Sequence, residues 1–498
     1  MDYKAERKII TGKLIFETAL HIGSGEEGDW IDSTLIKTKD GKVFIPGSTI
    51  AGIFRELAEE NFKNSMGDIY KLFGTIKEVG GVNQASRIIF CDAFISGEGK
   101  SGYRNGVSIR RDTLTSQVGA LFSLETVEKP SFDFRLIIDN PHDEDMNIVE
   151  PILTELKSGR AAIGGDKSRG LGWVRLSSIQ IADISPSDLD GFVDYLVEDK
   201  ISFQGFSINK DKTYGNGNYM EIEYALMLDD MNALLIISSG IPGFSENADQ
   251  TLVRDETTGK FFIPGSSIKG PLRAQAERII RFLNMNNKDS ACDPTDSDRS
   301  CSVKIKNSEE IKRMKEENKD GKEIANKIRE LSCPICKLFG NGYLASKIFF
   351  TDVYDDTSQT TQKIDIVAID RFTGGALEGA KFNTEVATAV NLKGRIILKD
   401  IKEWQAGLIA FLLRDWMMSD IRIGFGKLKG YGRCKVDLEK ITLSWQDGNW
   451  LKDKVKEDNI SKSGFYNSVV LEKDFLNLKR YEETLDRLVK KLKDEVER

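Results

Sequence analysis

The chain repeats itself. KVFIPGSTIAGIFRELAEE at 42–60 is matched by KFFIPGSSIKGPLRAQAER at 260–278, a separation of 218 residues. GALFSLETV at 119–127 pairs with GAKFNTEVA at 379–387, and IGGDKSRGLGWVRL at 163–176 with IGFGKLKGYGRCKV at 423–436, each 260 residues apart. Asp92 and Asp352 share that second separation. Several matches in one ungapped register point to duplication of a single structural unit. The step from 218 to 260 places about forty extra residues in the second copy, between its IPGSS segment and the LFG at 338–340. Four of the six cysteines lie in that stretch.

Hydrophobic periodicity runs in the same order in both copies. Alternation predicts strands near 8–20, 86–93, 130–138 and 171–180, and helical spacing predicts 48–62 and 146–158. The second copy repeats this near 220–237, 266–284, 346–353, 392–399, 402–418 and 430–443. A β-α-β-β-α-β order is the ferredoxin-like arrangement, which RNA-recognition motifs use to present single-stranded RNA. The predicted class is therefore α+β, with two tandem ferredoxin-like domains at 1–181 and 219–445. A turn-rich linker, 182–218, joins them, and a charged helical tail, 446–498, follows.

A chain of 498 residues exceeds what one core organises, which agrees with two units. No apolar run approaches the roughly 20 residues that span a bilayer, and the N-terminal segment has no signal-peptide pattern, so no membrane contact and a cytoplasmic location are expected. The net charge of -7 argues against indiscriminate coating of nucleic acid, so any RNA groove must be locally basic. His21 and His142 are the only histidines, which leaves little room for histidine acid–base chemistry.

Cys292, Cys301, Cys333 and Cys336 form C-x8-C followed by C-x2-C, the donor set of a closed tetrahedral structural zinc site. Cys91 and Cys434 lie in strand-like sequence and are expected in the core. GGDKSRGLG (164–172) and GFGKLKGYG (424–432) combine glycines that let backbone approach a phosphate with Lys167, Arg169, Lys427 and Lys429. Their spacing is not that of a Walker A loop. The IPGS segments read as a turn opening a helix, with Ser48, and Ser266 with Ser267, near the N-cap, and Arg55, Lys269 and Arg273 one to two turns in. Small residues there leave room for a ribose-phosphate.

IPGSSIKGPLR, the late G-x-G-K-x-K-G-x-G loop and CPICKLFG together resemble the RAMP superfamily of CRISPR proteins, particularly the repeated backbone subunits of type III effector complexes, and the fused pair looks like type III-D versions. The resemblance implies a palm that holds guide CRISPR RNA, a hairpin that interrupts its pairing with complementary target RNA, and assembly with other type III subunits. It also implies an aspartate, just before the IPGS helix, that supports cutting of the target at the interrupted position. That aspartate falls at Asp32 in WIDSTLIKTKDGKVFIPGS and at Asp249 in NADQTLVRDETTGKFFIPGS, each within D-x-T-L, with Asp29 a nearby competitor in the first unit. Such a carboxylate can bind a divalent cation (Mg or Mn) or orient a 2′-hydroxyl for attack on the adjacent phosphate. The hairpin falls before GALF and GAKF, where Arg111 and Arg371 occupy equivalent positions in a region that contacts RNA in the family. Alternatives are a non-catalytic RNA-binding subunit and a guide-processing endoribonuclease, the latter disfavoured by the scarcity of histidine.

Overall fold

The computed structural model describes residues 6–28, 30–62, 66–75, 84–97, 99–206, 217–228, 237–238, 250–284, 290–317, 319–355, 360–388, 390–454, 460–463, 466–472 and 490. In the first unit the strand Arg7–Phe16 pairs antiparallel with Ser131–Asp139 on one side and Trp173–Ile184 on the other, and Ile88–Phe90 lies beyond Ser131–Asp139. Ile10, Leu14 and Phe16, alternate residues of the first strand, face the helices Gly47–Asn61 and Asp145–Lys157. Ile50, Phe54, Ile152 and Leu156 complete that core.

The second unit has the same plan. Asn218–Met227 lies between Asn391–Lys399 and Lys435–Trp445, with Ile348–Phe350 beyond the former. Helices Gly265–Leu283 and Glu403–Met417 cover one face through Ile268, Leu272, Leu408 and Trp416. Both sheets thus carry their four core strands in the ferredoxin-like order, and the fold is a mixed α+β pair compatible with tandem RNA-recognition-motif-like domains. Each unit adds a long hairpin between its second and third core strands, Ser101–Ile109 with Ser116–Val127, and Thr360–Ile369 with Ala376–Thr388.

Two segments differ from the sequence expectation. The linker at 182–218 contains a helix, Leu189–Glu198, and a short strand, Gln204–Gly205, that joins the first sheet. Phe192 and Tyr195 of this helix pack on Ile9, Ile137 and Ile184, the sheet face opposite the core. Its polar residues alternate with apolar ones on more than one side, and Leu189, Leu196 and Val197 are exposed, so turn-rich neighbours mask it in the sequence. Residues 207–216 of that linker lie outside the described residues. The tail at 446–498 is not purely helical: Ser461–Ser463 and Tyr466–Glu472 are strands that extend the second sheet from Lys435–Trp445. Of the charged ending, all but residue 490 lies outside the described residues.

The two units pack edge to face. Trp173 and Ala162 of the first meet Tyr219, Ile397 and Phe349 on the face of the second sheet that its own helices leave open. Burying such side chains contributes about 2 kcal/mol each. Around them Arg395 pairs with Glu17, the Lys399 ammonium donates to the Arg160 carbonyl at 2.9 Å, and the buried Gln446 amide donates to Asn61 at 2.7 Å. The second sheet therefore has no fully open face, and the first keeps only part of its own open beside the helix Leu189–Glu198.

Candidate nucleic-acid interface

The loop holding Asp32 runs alongside the return strand of the first hairpin. Ser33 makes a parallel bridge to Leu124, and the Asp32 carboxylate accepts the Ser123 N–H at 2.6 Å and its hydroxyl at 3.0 Å. These bonds hold the exposed Asp32 carboxyl below its usual range, the backbone N–H contributing most, so it stays ionised. Glu125, buried one turn of the pleat further, accepts the Leu35 N–H at 3.0 Å and the Lys37 ammonium at 2.6 Å. His21 completes the support: Nδ1 donates to the Glu125 carbonyl at 2.7 Å, and Nε2 lies 3.2 Å from the Ser33 hydroxyl. The second unit repeats this stitching. Gln250 bridges in parallel to Thr384, Glu385 accepts the Leu252 N–H at 3.3 Å, and Arg254 pairs with the same carboxylate. Asp249 and Asp29 lie outside the described residues.

The IPGS helices begin at Gly47 and Gly265, and no serine caps them. The first N–H groups donate to carboxylates from the end of the second core strand, Gly47 to Asp92 at 2.7 Å and Gly265 to Asp352 at 2.8 Å. Glycine is needed because a Cβ at 47 would lie 2.1 Å from the Phe90 carbonyl oxygen, and at 265 2.4 Å from that of Phe350. The serine cap expected from sequence is thus corrected: Pro46 and Pro264 hold the cap positions, serine comes two residues later, and a long-range aspartate takes the place an anion would occupy at the helix N-terminus. Ser48 is exposed, whereas Ser266 and Ser267 are half-buried. Arg55 pairs with Glu59 at 2.8 Å. Lys269 donates to Ser168 of the first unit at 2.8 Å, and burial, with Arg273 and Arg169 nearby, pushes its pKa down to about 7. Arg273 donates to the Gly340 carbonyl, Cys336 Sγ and Glu277. Lys269 and Arg273, read from sequence as RNA-facing, are therefore engaged within the protein.

The two glycine loops differ in availability. In the first, Lys167 faces Glu56 at 3.8 Å, while Arg169 pairs with Asp166 and lies over the Phe122 ring at 4.9 Å. This loop abuts the second unit: Gly170, at φ 114°, would place a Cβ 2.1 Å from the Asp352 carboxylate. In the second loop Lys429 is exposed, 5.6 Å from the Phe382 ring and 5.9 Å from that of Phe425. Lys427 is half-buried, and burial followed by the charge of Arg111 lowers its pKa. The hairpin arginines differ too. Arg111 is paired with Glu277 of the second unit at 2.8 Å, while Arg371 is exposed beside Phe372, which is 98% exposed.

In the insertion, Cys292, Cys301, Cys333 and Cys336 bring their sulfurs within 4.8 Å of one another. Cys292 lies 3.5 Å from Cys336 and 3.7 Å from Cys333. Tetrahedral thiolates at about 2.3 Å from a zinc ion are separated by roughly 3.8 Å, so this donor set fits a metal such as zinc. Cys434 is buried, and burial pushes its thiol up to about 12; Cys91 is only half-buried and lines a 430 Å³ cleft on the open side of the first sheet, not the core expected.

A sequence profile described as the RAMP superfamily matches residues 13–175 and again 215–435, one match on each unit. The chain belongs to the RAMP superfamily. One relative, the CRISPR system Cms endoribonuclease Csm3 of Enterococcus italicus, is 27% identical over 213 residues, which cover 36% of this chain and 96% of that protein. No helix among the described residues is long and apolar enough to cross a membrane.

Within this RAMP pair the structure brings Asp32 and the first hairpin together, and it supports them through residues that motif reading passed over. Glu125 and Glu385 hold the D-x-T-L loops, Asp92 and Asp352 cap the helices, and Glu277 receives Arg111. The first four were visible as identical residues at matching positions of the repeat. Glu277 matches Glu59 in the repeat as well, but its pairing with Arg111 was not legible, because that partner lies in the other unit.

Proposed function

We propose that this chain is a guide-RNA-binding backbone subunit of a type III CRISPR effector complex, and that it cuts complementary target RNA at one position per RAMP unit. The observation that carries the reading is Asp32, an exposed ionised carboxylate fixed to the return strand of the first hairpin. The Csm3 likeness supports the same activity class. Support for a second site is the matching register of Gln250, the neighbour of Asp249, against the second hairpin.

A carboxyl held below its usual range is a poor proton acceptor near neutrality, so Asp32 serves better as a ligand for a divalent cation than as a general base. Such a cation would supply charge for the developing phosphate oxyanion. The chain's own task is positioning. The hairpin holds target RNA out of its duplex with the guide, Asp32 faces the scissile step, and exposed Lys429 with neighbouring Lys427 contacts phosphates. In-line geometry of the 2′-hydroxyl and phosphate then accounts for most of the rate. Ser48, Arg55, Lys167, Arg169, Ser266, Ser267 and Arg371 remain candidates for guide-backbone contact.

The four cysteines hold a structural zinc in this reading, closed to substrate because all four positions are thiolates. Elemental analysis should return about one zinc per chain. The assembled complex, given labelled target RNA with and without Mg or Mn, tests the cleavage claim. Asp32→Ala and Asp249→Ala should each remove one of two regularly spaced cuts while guide binding persists. Unchanged cleavage in both variants would leave a non-catalytic backbone role.

A further inference from the structure

The buried carboxylate of Glu277 joins two parts of the molecule that the sequence keeps far apart. It is fully shielded from solvent and receives three arginines: Arg111 at 2.8 Å, Arg273 at 3.1 Å and Arg281 at 3.9 Å. Arg111 sits at the tip of the first-unit hairpin. The other two arise from the same helix as Glu277, and both continue into the cysteine insertion. Arg273 donates to Cys336 Sγ at 3.4 Å and to the Gly340 carbonyl at 3.0 Å, and Arg281 donates to the carbonyl of Ala291, next to Cys292, at 3.1 Å.

We infer that Glu277 is a positioning residue that anchors the first-unit hairpin from the second unit, and that the four-cysteine centre keeps this anchor in place through Arg273 and Arg281. A buried carboxylate is stable as an anion only when its cations are held in position. Thiolates gathered around a metal carry surplus negative charge, which fixes the Arg273 guanidinium between Cys336 and Glu277. Loss of the metal frees Arg273, the Glu277 carboxylate loses part of its compensation, and the grip on Arg111 weakens.

The repeat supplies an internal contrast. The equivalent first-unit pair, Arg55 and Glu59, has side chains 28% and 39% exposed, and among the described residues no hairpin arginine reaches it. Arg371, the equivalent of Arg111, makes no ion pair among the described residues. One hairpin is therefore clamped by the neighbouring unit, and among the described residues the other is not, although their sequences share a register. The clamp belongs to the unit boundary bearing the cysteine insertion, which gives that insertion a role beyond stabilising its own loops.

Hydrogen exchange on the full chain tests this without reference to RNA cutting. Arg111→Ala alters a side chain at a hairpin tip, and Arg273 and Arg281 remain beside the buried Glu277 carboxylate. It should speed exchange across Ser116–Val127 on the order of tenfold, the effect of losing one charge-assisted hydrogen bond, with no change in Ser131–Asp139. Glu277→Gln should do the same. Chelation of wild-type protein should loosen Cys301–Phe339 and the hairpin together, and should add nothing to the hairpin in Arg111→Ala. The anchor is refuted if Arg111→Ala leaves the hairpin at its wild-type rate. The link to the cysteines is refuted if chelation loosens the insertion while the hairpin stays protected. This second arm rests on the zinc reading: absence of metal from the purified protein would defeat that reading, and the Arg111 arm would still decide the anchor.

Discussion

Asp352 shows how much one residue can bind together. Its carboxylate accepts the first N–H of the second IPGS helix, lies 3.4 Å from Arg104 of the first hairpin, and leaves room for Gly170 of the first glycine loop. Burial pushes its carboxyl up, and Arg104, itself over the Phe262 ring at 4.2 Å, works against that rise. Asp92 is the same cap without the neighbours, exposed to solvent. Urea unfolding should therefore separate them: Asp92→Ala loses about 1 kcal/mol, as for other helix caps, whereas Asp352→Ala removes the cap together with one of the two buried carboxylates of Arg104, Glu128 at 3.0 Å being the other, and loses about 2–3 kcal/mol. Lys269 gives a pH signature. Its folded pKa, about 7, lies below the ordinary lysine value, so between the two the unfolded chain binds the extra proton and stability rises with pH. Thermal melts should show wild type gaining stability from pH 7 to 9 relative to Lys269→Met, with the gain levelling off above the ordinary lysine pKa. The aspartate pair was legible as a repeat marker, but its capping role was not, because cap and helix are 45 residues apart in one unit and 87 in the other.

Among elements, the hairpins and glycine loops carry the RNA reading, and the two copies have diverged in what they leave free. In the first loop Ser168 and Gly170 are spent on the unit boundary, against Lys269 and Asp352, which leaves Lys167 and Arg169 partly exposed; the second exposes Lys429, Phe425 and Leu428. Gly170→Ala should accordingly open the boundary and lower the melting temperature, whereas Gly430→Ala, with open space around its Cβ, should do so only through its φ of 95°. Replacing Lys427 and Lys429 by alanine should weaken RNA binding for every sequence and flatten the salt dependence of log K by about 1.4, near 0.7 per lost contact on a single strand. Lys269→Met should leave that slope unchanged. Sequence periodicity located the core strands and helices, because each buries a face at a regular spacing. It missed the helix Leu189–Glu198, whose apolar residues lie on more than one side, and the strand Tyr466–Glu472, which an expected helical tail concealed.

The whole molecule is two consecutive stations with a built-in asymmetry. The edge of the first unit covers the open sheet face of the second, and the helix at 189–198 covers part of the first sheet, so the shared topology does not produce two sheet-bound RNA strands. The repeat told how many units there are and which residues correspond. It did not tell how the units pack, since Trp173 against Phe349 or Arg111 against Glu277 are contacts between copies that no within-copy match records. The central claim is that each unit holds its own stretch of guide RNA. Crosslinking of a photoreactive guide to the purified protein, mapped by nucleotide and by peptide, addresses it directly. Two separate nucleotide windows are expected, one joined to the D-x-T-L loop and hairpin of the first unit and the other to the hairpin and 424–432 loop of the second. A single window, or crosslinks confined to one unit, would contradict the account.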